Sequence, residues 1–330
     1  MADDQTAAAS ETAQEMPAWV NERGPAPLEP FNGAEPPAPD WFKWAIAQAP
    51  ERSLVPVQGA NIELLAWGER GKPGLILVHG NSAHADWWSF IAPYLAHDYR
   101  VAAISLSGMG ASDWRDSYSF EIFAQELNAG ARAAGLYDAP VKPIYVGHSF
   151  GGSQVFYAAK KYPEWMRGAV LVDTGFGGPP PAQEGFRHPQ QRTTPNRVYP
   201  TLEAALARFR FMPPQGCENL YIADFIARRS LKRAPMEEGG EGWTWRFDPQ
   251  LWSKLDRSVM TEMRMEPSPT PLVHIFGQNS KIMQRAEHGD PDGLLRGLRS
   301  VVIPDSEHHI MVDQPLALVA ALRAVLLMWP

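Results

Sequence analysis

From Asn61 onward the chain alternates short, continuous apolar runs with longer stretches in which apolar positions recur every three or four residues. Runs of Val, Ile and Leu without polar alternation suit strands buried on both faces, whereas the longer spacing marks helices with one covered face. The pattern predicts strands at Ile62 to Trp67, Gly74 to His79, Arg100 to Ser105, Pro143 to Val146, Ala169 to Asp173, Leu272 to Phe276 and Arg299 to Ile303. Helices are predicted over Phe120 to Ala134, Gln154 to Lys161 and Pro315 to Met328. The last has Leu316, Val319, Leu322 and Leu326 on one face, with Pro315 suited to a first turn. This alternation specifies an α/β domain with a mostly parallel, doubly wound sheet covered by helices on both sides.

Between Thr174 and about Pro267 the alternation stops. The stretch carries Pro179-Pro180-Pro181, paired glycines and two helical patterns, Leu202 to Phe211 and Leu220 to Arg229. A structureless loop of that length does not suit a compact domain, so residues 176–267 are expected to form a small helical cap emerging after the fifth or sixth strand. The core is then 51–175 with 268–330, preceded by an extension over 1–50. That extension is rich in Ala, Pro and Glu and is expected to be disordered over its first fifteen or so positions. Its later aromatics, Trp19, Phe31, Trp41, Phe42 and Trp44, are costly to leave in water and are expected to pack on the main body. Asp40 is placed to cap a short helix running to Gln48.

Composition narrows the function classes. A chain of 330 residues with a formal net charge of -7 has no basic stripe for a phosphate backbone, and its apolar runs are too short to span a bilayer. No nucleic acid and no membrane span are expected. Residues Met1 to Ala18 lack a basic start and a continuous apolar stretch, unlike a secretory signal, which points to a cytoplasmic protein. The single cysteine, Cys217, has no partner for an internal disulfide or a metal site. Several of the twelve tryptophans fall outside the strands, in Trp41 to Trp44 and Trp243 to Trp252, which suggests large apolar covers or pockets.

The chemistry centres on Gly147-His148-Ser149-Phe150-Gly151, set between an apolar strand and a helix. Such a strand–turn–helix is a nucleophile elbow: the serine is held with its hydroxyl exposed above the sheet edge, and both glycines are required because neighbouring backbones pass too close for a Cβ. A serine hydroxyl needs a base within hydrogen-bond reach, and the base needs a group to hold its tautomer. The histidine candidates are His79, His84, His148, His188, His274, His288, His308 and His309. His308 is favoured because it follows the last strand on a loop before the final helix and can reach the same sheet edge; His309 is its neighbour and competitor.

With these residues in place the chain resembles the α/β-hydrolase superfamily, in its serine-hydrolase branch with a helical cap, over roughly Ser53 to Pro330. The resemblance rests on His79-Gly80-Asn81, Gly108-Met109-Gly110-Ala111-Ser112, the Gly147 to Gly151 elbow, and His308 with Pro315 seven positions on, in the family's order. It places the cap after the sixth strand of the fold, selects His308 over His309, and implies an oxyanion hole built from the backbone N–H groups of Asn81 and Phe150. The family's usual acid follows the seventh strand, where this chain reads Gly277-Gln278-Asn279-Ser280. Asp173, at the end of the preceding strand, is the replacement that some branches imply, with Glu287, Asp290 and Glu307 as alternatives. Asp173→Asn is therefore expected to cost turnover by orders of magnitude, and Ser280→Ala little.

The resulting expectation is a serine hydrolase acting on an ester or lactone of a moderately hydrophobic small molecule, without metal or organic cofactor. Serine at the elbow argues against epoxide opening and dehalogenation, which use an aspartate there. Carbon–carbon bond hydrolysis, amide hydrolysis, cofactor-free peroxidation and hydroxynitrile cleavage share the triad type. A ligand-binding member with weak turnover is the alternative, supported by the missing acid at Ser280. His84, Trp87, Trp243 and Trp245 are the candidate substrate contacts, with Trp88 as Trp87's rival. The cap residues Trp243, Trp245, Trp252, Met260, Met263 and Met265 are expected mainly to form the cap's own core.

Overall fold

The structure is a computed structural model that describes residues 24–175, 194–259, 268–284 and 298–329. Eight strands form one sheet: β1 (Glu51–Val57), β2 (Ala60–Trp67), β3 (Gly74–Val78), β4 (Arg100–Ile104), β5 (Ile144–His148), β6 (Gly168–Val172), β7 (Leu272–Gly277) and β8 (Arg299–Ile303). Their order is β1-β2-β4-β3-β5-β6-β7-β8, antiparallel at the β1–β2 and β2–β4 pairs and parallel from β4 to β8. Every residue of β3, β4, β5 and β6 is buried, which is why these strands are continuous apolar runs. The helices are α1 (Asp40–Ala47), α2 (Phe120–Ala133), α3 (Phe150–Lys161), α4 (Leu202–Leu206), α5 (Leu220–Arg229), α6 (Leu251–Lys254), α7 (Ile310–Asp313) and α8 (Pro315–Leu326). Two apolar layers lie on opposite faces of the sheet, one holding α2 and α3, the other α5 and α8. Among the described residues no helix is long and apolar enough to cross a membrane.

The sequence pattern missed β1. Its first six residues, ending at Pro56, face solvent at least in part, so it carries neither an apolar run nor an alternation. A tight turn at Gln58 and Gly59, both at positive φ, folds it back on β2, and proline is tolerated because this is an edge strand.

The insertion follows β6 in the chain and is not wholly helical. Helix α4 stops at Leu206, well short of Phe211, and a β-hairpin pairs Leu231–Pro235 with Glu241–Trp245. The hairpin turns at Gly239 and Gly240, both at positive φ, and Trp243 and Trp245 occupy alternate positions along its second strand. That period of two, followed upstream by a paired glycine, was the signal available in the sequence. Asp248 ties the insertion to the core: its N–H donates to Gly108 O at 2.7 Å, and its carboxylate accepts from Tyr118 at 2.8 Å and Lys254 at 2.9 Å.

In the extension, Phe42 of α1 packs on Phe90, Tyr221 and Phe225. Asp40 does not cap this helix: the N-cap is Pro39, and Asp40 is the first helical residue, 3.6 Å from Lys43. Pro39 supplies an extended entry without a side-chain bond, and an acid in the first turn still complements the helix dipole. The extension's first positions with Trp19, the proline run 179–181, His188, Met260, Met263, Met265, Glu287, His288 and Asp290 lie outside the described residues.

Candidate active site

The C-terminal ends of β3, β5, β6, β7 and β8 meet at one edge of the sheet, so residues far apart in sequence converge there. Ser149 sits between β5 and α3 at φ 52° and ψ -116°, a conformation non-glycine residues seldom adopt. It is held there by its N–H, which donates to Val172 O at 2.9 Å. A Cβ on Gly147 would stand 2.5 Å from Gly151 O, and one on Gly151 would collide with His79 O, so the strand and helix could not approach this closely with larger residues.

His308 Nε2 lies 2.9 Å from Ser149 Oγ, and His308 Nδ1 lies 2.7 Å from Asp173 Oδ1. A carboxylate only accepts, so Nδ1 carries the proton and Nε2 offers its lone pair to the serine hydroxyl. Asp173 is fully buried at φ 45° and is more than a turn cap. Its Oδ2 accepts Gly277 N–H at 2.8 Å, and its Oδ1 also accepts Ser280 O–H at 2.6 Å. Ser149, His308 and Asp173 are thus joined in one hydrogen-bonded line at the carboxyl ends of parallel strands.

The family model of the alpha/beta hydrolase family matches residues 75–322. The chain belongs to that family. The esterase Rv0045c of Mycobacterium tuberculosis is 26% identical over 289 residues, 82% of this chain and 88% of the relative. A pimeloyl-[acyl-carrier protein] methyl ester esterase of Klebsiella pneumoniae is 24% identical over 262 residues, 76% of this chain and 92% of the relative. Among solved structures, the thioesterase domain from the curacin biosynthetic pathway superposes with a TM-score of 0.62 at 21% identity, covering 83% of this chain and 98% of that one. At that identity it shows the fold alone.

Around the line of three, this α/β hydrolase buries several further histidines. The Nε2–H of His148 donates to the His308 carbonyl at 2.9 Å, so the elbow grips the backbone of His308. Burial, then the nearby His308, holds His148 well below the usual histidine range. His309, the competitor for the base's place, turns to the insertion. Its N–H donates to Gln215 Oε1 at 3.0 Å and its Nδ1 bonds the same oxygen, while Gln215 Nε2 donates to the Asp313 carboxylate at 3.0 and 3.1 Å. Asp313 is pushed up to about 6, chiefly by burial. This brace was not legible in the sequence, because Gln215 lies in a segment without periodicity.

The expected substrate contacts divide. His84 does not present a free ring edge: its Nε2 lies 3.0 Å from Ser230 Oγ and 3.3 Å from Ile226 O, which joins the oxyanion-side loop to α5. Trp87 is buried against Phe211 and His309, with centroid distances of 6.1 and 5.5 Å, beside the base's loop. Trp88 is completely buried. Trp243 lies under Arg233 at 5.0 Å and Trp245 faces Phe209 at 6.3 Å, both partners belonging to the insertion. Both also pack on the apolar layer that carries α5 and α8. Phe150, in contrast, sets its ring 5.4 Å from Trp252 of α6, a contact that brings the insertion next to the elbow.

Phe150 opens α3, so its backbone N–H has no acceptor within the helix and is free in principle for a ligand. Asn81 is half-buried just beyond β3, its amide donating to Ser82 Oγ at 3.1 Å. Among the described residues no cluster of three or more His, Cys, Asp or Glu side chains is arranged to hold a metal ion. Burial pushes the Cys217 thiol up to about 12, which disfavours the reactive thiolate.

Two buried rings carry a stability prediction. Burial lowers His79 to about 3 and His274, on β7, to about 4, from an ordinary value of 6.5. His274 Nε2 has no hydrogen-bond partner among the described residues. A folded-state value below the unfolded one means that the unfolded chain binds the extra proton, so this stability is complete above pH 6.5 and is lost as pH falls towards 4. Between pH 6.5 and 5 one such group costs about 2 kcal/mol. Denaturant midpoints at pH 7.5 and 5 should therefore converge in His274→Phe relative to the parent, and an unchanged difference would show that His274 ionises freely in the fold.

Proposed function

We propose that this α/β hydrolase cleaves a carboxylic ester or lactone of a moderately hydrophobic small molecule through an acyl-enzyme. The observation that carries the reading is the hydrogen-bonded line from Ser149 through His308 to Asp173, at 2.9 and 2.7 Å. His308 Nε2 takes the Ser149 proton as Oγ attacks the carbonyl carbon. Asp173 keeps the Nδ1 proton in place and stabilises the imidazolium, and the N–H groups of Phe150 and Asn81 receive the developing oxyanion. His308 then gives its proton to the leaving alkoxide. In the second half, water loses a proton to His308 and attacks the acyl carbon, and the returning proton restores Ser149. A lactone follows the same course, with alcohol and acid ending in one product.

The alternative of a weakly catalytic binding protein drew its support from the missing acid after β7. Asp173 beside His308 supplies an acid from β6 and weighs against it. A panel of chromogenic esters of graded acyl length, with lactones and amides alongside, tests the assignment. Turnover is expected for esters or lactones with medium apolar acyl groups, and faster cleavage of the amides would move the enzyme to a different bond class.

A further inference from the structure

Ser280 stands where the family's usual acid would be, and the fold gives it a contact that the sequence did not suggest. It is 1% exposed, and its Oγ lies 2.6 Å from Asp173 Oδ1, the oxygen that also accepts His308 Nδ1–H. Because an ionised carboxylate only accepts, the hydroxyl donates. The serine's own lone pair accepts Met283 N–H at 3.2 Å, which leaves its proton for Asp173. From the same turn, Gly277 N–H holds the other carboxylate oxygen at 2.8 Å, while Ser280 N–H closes the turn on Gly277 O at 3.1 Å.

We propose that Ser280 is a positioning residue that acts through Asp173, fixing the rotation of its carboxylate and sharing its negative charge with His308. Two donors from the turn after β7 pin both oxygens of an acid that β6 supplies, so the relay draws on both strand ends. The inference rests on the reading of Ser149, His308 and Asp173 as the reacting line.

Removal of the hydroxyl has two consequences. The carboxylate loses one of its charge-assisted bonds and can turn, which lowers kcat. The share of its charge borne by His308 grows, which favours the imidazolium and moves the acid limb of the rate profile to higher pH. The titratable groups facing this pair are His148 from the elbow, His309 beside it, His274 on β7 and Asp313 on α7. Burial holds the three histidines below their usual range and raises Asp313, and an Asp313→Asn background, compared with and without Ser280→Ala, separates its titration from that of the pair.

The test measures fluorophosphonate labelling of Ser149 against pH, together with kcat, KM and melting temperature, in the parent, Ser280→Ala and Ser280→Thr. Ser280→Ala, expected from sequence alone to change little, should lose about tenfold to a hundredfold in kcat. KM should stay within about twofold, because no substrate contact is removed. The acid limb should rise, and the hydroxyl of Ser280→Thr should bring it back. An unchanged kcat and limb in Ser280→Ala would overturn the proposal. So would a lower melting temperature and raised KM with the limb in place, which is the mark of a structural role. Labelling that disappears in Ser149→Ala and His308→Ala while Ser280→Ala tracks the parent would overturn the role of Ser280 alone. Labelling indifferent to Ser149 or His308 would instead overturn the underlying hydrolase reading.

Discussion

Ser149→Ala is expected to lower ester turnover by about ten-thousandfold to a millionfold and to abolish fluorophosphonate labelling. The substitution keeps the Cβ, so the elbow's backbone geometry at φ 52° is strained no more than in the parent. It removes one oxygen, which lies 2.9 Å from His308 Nε2. Ser149 N–H still donates to Val172 O, and Gly147 and Gly151 still allow the strand and helix to pass. The melting temperature should therefore remain close to that of the parent while turnover collapses. The residual rate would come from binding and from the oxyanion donors, which the variant retains. A folded parent that fails to label at Ser149 would remove the hydrolase reading, and the binding alternative would then be the better account.

Asp173→Asn is expected to cost about ten-thousandfold in kcat, for a reason that follows from its three donors. Gly277 N–H, 2.8 Å from Oδ2, requires an acceptor, so the asparagine oxygen should settle there. Its NH2 group then faces His308 Nδ1, where the carboxylate had accepted at 2.7 Å. A donor at that place forces the proton of the imidazole onto Nε2, the nitrogen that must accept from Ser149. Rotating the amide restores the His308 contact only by setting NH2 against Gly277 N–H. The first orientation puts the proton on the wrong nitrogen and the second leaves a buried donor facing a donor, so the productive tautomer loses its support either way. Single-turnover labelling against pH measures the loss directly. Parent-like activity in Asp173→Asn would mean that the acid is elsewhere. Glu307 is the remaining alternative among the described residues, and its carboxylate lies towards Lys281 at 3.9 Å.

Much of the frame was legible because it rests on local pattern. Seven strands were legible, with ends within about two residues of those observed, and the plainest are β3 to β6, since strands buried on both faces admit no polar alternation. The eighth, β1, was missed because an exposed edge strand ending in Val-Pro-Val leaves no such imprint. The hairpin of the insertion was missed because its alternation spans few residues. The place of His84 soon after His79-Gly80-Asn81 suggests a pocket residue, whereas the end of α5 closes over its ring.

The sequence by itself determined a parallel sheet, a serine elbow after its central strand and a histidine loop after its last one. Each of these is written in a contiguous segment, as an apolar run, a pair of glycines or a proline at a helix start. Only the tertiary structure decided what surrounds His308. Its bond to Asp173 joins residues 135 positions apart, and the bond from Ser280 to the same carboxylate spans 107. Those encounters exist because β6 and β7 lie side by side in the sheet with the insertion looped out between them. A carboxylate's orientation, a tautomer and the grip of Gln215 on His309 are hydrogen-bond geometries between such distant segments, and no spacing along the chain encodes them.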